Sequence, residues 1–272
     1  MPELPEVETT LRGIESHILN KKISCVIVRQ PSLRWVVPQD LIRKKLEGNT
    51  FSNISRRGKY LLLESSDENL IIHLGMSGSL RIVKEEGLKK HDHIDICFAD
   101  GTILRYCDPR RFGCFLWSEN INKHFLLEGL GPEPLGNNFN GDYLFEKSRK
   151  RKTPIKNFIM NSKIVVGVGN IYATEALFAA QIRPSVKAGR LSRKKYDLLS
   201  KEIVRLLRKS IEKGGTTLRD FVSGDSQPGY FKQSLKVYGR EGEACYDCKT
   251  NIKGLKIGQR ASAFCPKCQS SF

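Results

Sequence analysis

Residues 1–9, MPELPEVET, are the stretch around which the rest of the chain is organised. Removal of an initiator Met before a small residue leaves Pro2 as the amino terminus. Free α-amino groups titrate at about 7.7–8.0, so part of the population is neutral and nucleophilic near neutral pH. A secondary amine that attacks a carbonyl or sugar C1′ centre gives a cationic iminium, an electron sink for eliminations at neighbouring carbons. Glu3 places a carboxyl beside that centre for proton exchange. The alternative is that Pro2 and Pro5 only mark the start of a helix and that the glutamates suit its dipole.

The same stretch predicts an amphipathic helix. Pro5 suits the first turn of a helix. Apolar side chains then recur on one face, at Val7, Leu11, Ile14 and Ile18. Packing of this face would hold the amino terminus in a fixed place.

Charge is the main feature of the composition. The 272 residues carry a formal net charge of +17 with a pI near 9.6, which indicates a polyanionic partner. A basic ribosome-associated protein, or one that is merely soluble, is the alternative, and charge alone does not separate these classes. We find no apolar run of membrane-spanning length and no basic amphipathic anchor, so an anionic membrane is disfavoured. The acidic, proline-rich start differs from a signal or transit peptide, and we expect a cytoplasmic location.

The first half of the chain has the pattern of an antiparallel sheet system in two packed layers. Short β-branched or aromatic segments are separated by turn residues, and a helix is expected near 39–47. The predicted strands are 23–29, 60–64, 70–74, 94–98, 102–106 and 112–117.

The pattern changes after a breaker-rich stretch at 129–138. Helices are expected at 154–160, 170–180 and 192–213, the last capped by Ser192, with no strand before about residue 235. The sequence thus predicts an α+β protein. Its expected parts are a β-sandwich domain (1–130), a linker (131–150), a helical domain (151–234) and a zinc finger (235–272).

Four of the eight cysteines have metal-ligand spacing, namely two CxxC pairs separated by sixteen residues: Cys245, Cys248, Cys265 and Cys268. Four thiolates favour one tetrahedral structural zinc with no open position for catalysis. The residues between the pairs predict a β-hairpin, with Arg260 near its return strand. The other four cysteines are scattered in apolar contexts and are expected to pack as small hydrophobes.

Several glycine-bearing turns carry cationic or bulky side chains. Lys59 precedes a predicted strand, HLGMSGSL (73–80) contains Met76, and DPRRFG (108–113) contains Arg110 and Phe112. Spacing alone favours a different interpretation, in which Met76 and Phe112 are core residues and Asp108 forms a local ion pair with Arg110.

A further glycine-bearing turn, KIVVGVGN (163–170), lies between two predicted helices. We expect Asn170 to cap the second helix, whose amino terminus could hold a phosphate. An ordinary interhelical turn is the alternative reading. The basic run 147–156 precedes this turn in the sequence. It is expected either to line a duplex backbone or to form a solvated face.

Taken in order from residue 2 to residue 268, these motifs resemble the formamidopyrimidine-DNA glycosylase family. The resemblance implies that Pro2 is the nucleophile and that 163–170 belongs to a helix–two-turns–helix element. It also implies that Met76, Arg110 and Phe112 fill the void left by an extruded base. Four further positions match family residues that contact DNA, recognise the base or assist elimination: His91, Arg151, Lys156 and Arg260. Lys59 is expected to position a phosphate or to donate a proton.

The function implied is a bifunctional DNA glycosylase and abasic-site lyase for oxidised purines such as 8-oxoguanine and formamidopyrimidines. We expect a monomer that binds double-stranded damaged DNA in a basic cleft between its domains, with one structural zinc. Two alternatives remain: an endonuclease VIII-type enzyme for oxidised pyrimidines, and a non-catalytic zinc-dependent DNA-binding protein. Leu4 together with Met76, Arg110 and Phe112 favours the purine branch.

Overall fold

The structure is a computed structural model that describes residues 2–84, 87–214 and 234–270. The chain forms two compact units, which divide between Glu128 and Gly129. Among the helices described, none is both long and apolar enough to cross a bilayer.

The described part of the first unit contains two helices and two four-stranded antiparallel sheets. The helices are α1 (Leu4–Ile18) and α2 (Gln39–Leu46), and a short 3-10 turn lies at Ile121–Lys123. The strands are β1 (Ile23–Val28), β2 (Asn53–Arg57), β3 (Tyr60–Ser65), β4 (Glu68–His73), β5 (Ser79–Val83), β6 (Asp92–Phe98), β7 (Ile103–Cys107) and β8 (Cys114–Ser118). One sheet has the order β1-β6-β7-β5 and the other β2-β3-β4-β8.

A single apolar core joins both sheets to α1. It contains Leu61 and Ile72 from one sheet, and Ile94 and Leu104 from the other. The predicted stripe on α1 is buried in the same core, with all four side chains at most 8% exposed. The two-layer prediction is therefore confirmed. Burial of this stripe contributes about 1.5–3 kcal/mol per aliphatic side chain and fixes the helix that follows Pro2.

Two strands were not predicted, and each has a local reason. Strand β2 (NISRR) is too polar to show a strand pattern, but its register places Ile54 opposite Leu63 over the core. Strand β5 begins directly after the turn at 74–78, so in the sequence its residues look like a continuation of that turn.

The second unit is helical with a carboxy-terminal hairpin. Its helices are α3 (Gly141–Ser148), α4 (Ile155–Met160), α5 (Asn170–Ala179) and α6 (Arg193–Glu212), with a 3-10 turn at Ala188–Arg190. Strands β9 (Lys253–Ile257) and β10 (Arg260–Phe264) pair antiparallel. Ser192 caps α6 as predicted, its hydroxyl accepting from the Lys195 amide.

The stretch 131–150, expected to be a linker, contains helix α3. Asn140 caps this helix by accepting from the Tyr143 amide, and α3 packs on α6. The breaker-rich residues just before it hide this short helix in the sequence. The stretch 215–238, which the sequence suggests is a loop over an extruded base, lies largely outside the described residues.

Candidate nucleic-acid interface and metal centre

The amino terminus is held by a reciprocal capping arrangement. Glu3 is the N-cap of α1; its side chain accepts from the backbone amide of Glu6, and its own amide donates to Glu6 Oε2 at 2.9 Å. Pro2 is buried and Glu3 is 2% exposed. A capping box satisfies two amides that the helix leaves open, so the position of Pro2 is fixed by α1.

Lys59 lies in a tight turn that is tied to the same helix. Gly58, at φ 60°, and Lys59 connect β2 to β3. Arg56 donates to the Gly58 carbonyl at 2.9 Å and to Glu8 Oε2 of α1 at 2.9 Å. Burial opposes ionisation of Glu8, but hydrogen bonds and charge from Arg56 and Arg12 lower its pKa. This ion pair links the helix that carries Glu3 to the turn that carries Lys59.

The two turns that carry the predicted void-filling residues pack backbone against backbone. A Cβ at Gly75 would lie 2.5 Å from the backbone of Phe112 and of Gly113, and Gly75 has φ +64°. A side chain there would clash and would also strain the backbone. The glycine in HLGMSG therefore allows the close approach of the two turns, which brings Met76, Arg110 and Phe112 into one region.

One buried carboxylate holds these two turns together. Asp108 is 0% exposed. Its Oδ1 accepts from Ser77 Oγ at 2.8 Å and from the Arg110 amide at 3.2 Å. Its Oδ2 accepts from Tyr106 Oη at 3.0 Å and from the Gly113 amide at 2.9 Å. Asp108 therefore bonds the backbone amide of Arg110 and does not form the suggested ion pair with its guanidinium.

The three predicted side chains are exposed beside this network. Met76 is 39% exposed and Phe112 is 44% exposed, so neither side chain belongs to the apolar core of this unit. The Arg110 guanidinium lies over the Phe112 ring, 4.8 Å from its centroid. The core interpretation of Met76 and Phe112 is therefore wrong.

His91 lies at the base of the same turn. Its carbonyl accepts from the Asp108 amide at 3.1 Å. Its ring is 6.2 Å from that of His93, whose Nε2 is 2.8 Å from the Asp108 carbonyl. The backbone around Asp108 is thus fixed from the His91 side as well.

His73 connects the Lys59 turn to the Gly75 turn. Its Nδ1 accepts from the Gly75 amide at 3.0 Å. Burial, followed by the positive charges of Lys59 and Arg34, lowers the pKa of His73 from 6.5 to about 4. The ring is therefore neutral at neutral pH and can accept this bond.

The depressed pKa of His73 predicts a pH dependence of stability. Its contribution is complete above the unfolded pKa of about 6.5 and is lost as the pH falls towards about 4, because the unfolded state binds the proton more readily. We expect the free energy of unfolding to fall by roughly 1–2 kcal/mol between about pH 7 and about pH 5, after allowance for partial solvent exposure.

Denaturant unfolding at both pH values measures this effect. His73→Asn keeps an acceptor near the Nδ1 position but does not titrate, so the part of the pH dependence due to His73 should disappear. His17→Asn removes an exposed histidine and is the control. An unchanged pH dependence in His73→Asn would show that the ring is not neutral in the folded protein.

In the second unit, the 163–170 stretch joins α4 to α5 as predicted, and Gly167 takes φ +80°. Asn170 does not cap α5. The N-cap is Gly169, whose backbone is extended, and Asn170 is already the first helical residue. Among the described residues its Oδ1 is buried with no hydrogen-bond partner, and no side chain caps this helix.

Lys156 and Arg151 have different environments. Arg151 is exposed just after α3, and its carbonyl accepts from the Gly189 amide at 2.9 Å. Lys156 is 0% exposed, and its Nζ donates to the Ala261 carbonyl at 2.9 Å and to Ser262 Oγ at 2.6 Å. Direct contact between Lys156 and a base would require these bonds to break. In this structure Lys156 joins α4 to the hairpin.

The four predicted cysteines converge at the hairpin. Their sulfur atoms all lie within 4.8 Å of one another, with 4.0 Å between Cys245 and Cys268 and 3.3 Å between Cys248 and Cys265. A tetrahedral zinc with sulfur ligands at about 2.3 Å needs sulfur atoms about 3.8 Å apart, so the four residues fit zinc. Arg260 is exposed at the start of β10, after a Gly258-Gln259 turn with φ near +60° at both residues.

Glu175 is a residue that the sequence analysis missed. Its buried carboxylate accepts from the backbone amides of Lys236, Val237 and Tyr238 at 2.8–3.0 Å and anchors that segment to α5. The available signal was an acidic residue within the apolar run ATEALFAA.

These features define an α+β protein with a buried proline at position 2, a cationic two-turn surface, a helical element and a four-cysteine centre. Comparison with known proteins finds two matching family models. They are the formamidopyrimidine-DNA glycosylase N-terminal domain over residues 1–115 and the formamidopyrimidine-DNA glycosylase H2TH domain over residues 130–222.

Full-length relatives agree with these matches. The chain is 57% identical over 271 residues to a formamidopyrimidine-DNA glycosylase of Cellvibrio japonicus and 54% identical over 270 residues to one of Stutzerimonas stutzeri. Each comparison covers 99% of this chain and 100% of the relative. This chain belongs to the formamidopyrimidine-DNA glycosylase family.

Solved structures show the same fold. A Lactococcus lactis Fpg mutant bound to DNA containing Fapy-dG is 36% identical with a TM-score of 0.93. MutM bound to DNA containing carbocyclic 8-oxo-G is 35% identical with a TM-score of 0.91. Both comparisons cover 99% of this chain and 100% of the other.

Proposed function

We propose that this protein excises oxidised purines from double-stranded DNA as a base-excision repair glycosylase and then cleaves the strand as an abasic-site lyase. The observation that carries the proposal is the Pro2-Glu3 terminus, fixed by the capping box at the start of α1. Relatives bound to DNA containing Fapy-dG and 8-oxo-G support the substrate class. We propose that the protein acts as a monomer.

The chemistry begins at Pro2 once Met1 is removed. The neutral secondary amine attacks C1′, the bond to the damaged base breaks, and the base leaves with a proton. The sugar ring opens to a cationic iminium. Loss of a C2′ proton expels the 3′ phosphate, and loss of the C4′ proton expels the 5′ phosphate. Hydrolysis then frees Pro2. Glu3 exchanges protons at the sugar.

The other residues bind and orient the DNA. Lys59 binds a phosphate beside the lesion or donates a proton, and His91 and Arg151 contact the backbone. Met76 and Phe112 occupy the space left by the base, while Asn170 and Arg260 contact phosphates, Arg260 also assisting the second elimination. Cys245, Cys248, Cys265 and Cys268 would hold one zinc, which stabilises the hairpin and takes no part in bond breaking.

Borohydride trapping tests the proposal. A duplex with one 8-oxoguanine should give a covalent protein–DNA adduct, and without borohydride a gap with phosphate at both ends. Tight binding with neither adduct nor cleavage would instead identify a non-catalytic DNA-binding protein.

Arg110 should determine which base is tolerated opposite the lesion. Its planar fork of donors can bond the O2 and N3 acceptors of cytosine, whereas adenine places a donor amine beside its acceptor. Arg110→Ala should therefore flatten a preference for cytosine over adenine, while cleavage of a pre-formed abasic site is retained. The measurement is excision of 8-oxoguanine opposite each base.

Arg111→Asn is the matched control, since it removes a neighbouring cation where φ is 56°, a conformation that Asn tolerates. This variant should keep the preference for cytosine. Equal excision opposite cytosine and adenine by the unmodified protein, with strong activity on oxidised pyrimidines, would favour an endonuclease VIII-type enzyme.

A further inference from the structure

The second unit has a groove whose lining includes none of the residues assigned to DNA or zinc. One face of α6 forms its length, from Asp197 to Glu212, and Phe139 to Gly141 form the opposite wall at one end. At 1.5 Å per residue the helical face is about 22 Å long. The wall is fixed tightly, because a Cβ at Gly141 would lie 2.5 Å from the Asp197 Cα.

The floor and the rim of this groove differ in chemistry. We call the two apolar side chains of the lining the floor: Phe139, which is buried, and Val204, which is half-buried. More of the exposed lining is apolar than polar. The rim carries four exposed cations: Lys201, Arg205, Arg208 and Lys209. Arg205 pairs with Glu202. Within the described part of the chain, no acidic group lies within 4.0 Å of the charged atoms of the other three.

The acidic residues of the lining do not neutralise this rim. Asp197 and Glu212 stand at the two ends of the α6 face, so the cations occupy its central stretch. An occupant that neutralises them must carry several negative charges over a length of about two to three helical turns. An occupant that also covers the floor must offer apolar side chains between those charges.

We infer that this groove binds an acidic peptide segment with interspersed apolar side chains, supplied by a partner protein. Charge complementarity at the rim steers such a segment to the groove, and burial of its apolar side chains against Phe139 and Val204 adds affinity. Duplex DNA fits less well, because a phosphodiester backbone satisfies the cations but gains nothing from an apolar floor.

Fluorescence anisotropy with defined peptides tests the inference on the full-length protein. The probe is a fluorescein-labelled peptide in which aspartate alternates with leucine and phenylalanine. A second peptide has the same charge but glycine at the apolar positions. The first should bind at least about tenfold more tightly than the second. Equal binding of the two peptides, or no binding of either, would contradict the inference.

Variants of α6 locate the site. Arg208→Glu should weaken binding of the apolar acidic peptide about tenfold, since it places a like charge on the rim. Val204→Gln should weaken it without a change in charge. Lys194→Glu, an exposed position on α6 outside the lining, is the control with the same charge change and should have less than about a twofold effect. Thermal unfolding and excision rates verify that all three variants are folded.

Two results would overturn the assignment. If Arg208→Glu and Lys194→Glu weakened binding of the apolar acidic peptide equally, the attraction would come from net charge alone. If Arg208→Glu weakened binding of undamaged duplex DNA as strongly as binding of the peptide, the groove would be a DNA-binding surface. Neither result depends on whether Pro2 is the nucleophile.

Discussion

Replacement of Pro2 by glycine should abolish most excision and most borohydride trapping while lesion binding is retained. A primary amine forms a Schiff base that can lose its remaining N–H proton and become a neutral imine, whereas the iminium of proline has no such proton and stays a cationic electron sink. We expect single-turnover excision to fall at least about a hundredfold, equivalent to roughly 2.7 kcal/mol in the barrier. Binding of a duplex with a non-cleavable lesion should change little.

Pro5→Ala is the matched control for this experiment. Pro5 is a buried proline in the first turn of the same helix, but it cannot become the amino terminus. The control should retain excision and lose at most some stability. Excision by the Pro2→Gly variant at the parental rate would show that Pro2 is not the nucleophile, and the proposed mechanism would fall.

Replacement of Cys248 by serine should release zinc and unfold the hairpin. Structural zinc in small fingers contributes an apparent 10 kcal/mol or so to folding, and the cluster packed around these cysteines is small: Phe178, Val237, Cys245, Ile252, Ala263 and Cys265. Duplex affinity should therefore fall. The first unit should remain folded, because its core contains no residue of the hairpin.

Elemental analysis, thermal unfolding and duplex titration measure these effects. One zinc per chain is expected in the unmodified protein and none in the variant. Cys25→Ser, a cysteine outside the four-sulfur cluster, should keep both zinc and affinity. A zinc-free variant with full duplex binding would show that the hairpin needs no metal.

The structural effect of Cys248→Ser should also extend to α4. Unfolding of the hairpin removes the Ala261 and Ser262 acceptors of Lys156. Loss of two acceptors from a buried ammonium is costly, so we expect α4 to shift towards a position in which Lys156 is more hydrated. Hydrogen exchange at the α4 amides of Cys248→Ser would show this movement.

The sequence predicts the parts of this protein whose pattern is local. The α1 stripe has a 3.6-residue period, and the cysteines have metal-ligand spacing, so both could be read directly. Asp108 could not be recognised in the same way. Its bond to Ser77 spans 31 positions and depends on the pairing of β5 with β7, which no local pattern specifies.

The error in the capping role of Asn170 and the unexpected burial of Lys156 have the same origin. Capping depends on which residue first takes helical dihedral angles, and the choice between Gly169 and Asn170 is set by how the preceding turn packs. Burial of Lys156 depends on a hairpin 105 positions further along the chain. A basic side chain in a basic run gives no sign that it will be buried.

The shared anchor at Asp108 limits how this surface can change. Because one carboxylate holds the Ser77 hydroxyl and the Arg110 and Gly113 amides, a shift of either turn displaces the other. Substitutions at Met76 and at Arg110 are therefore coupled and will not have additive effects. A library that aims to redirect the enzyme to other lesions must randomise both turns jointly, since variants selected in one turn alone will lose their benefit when combined.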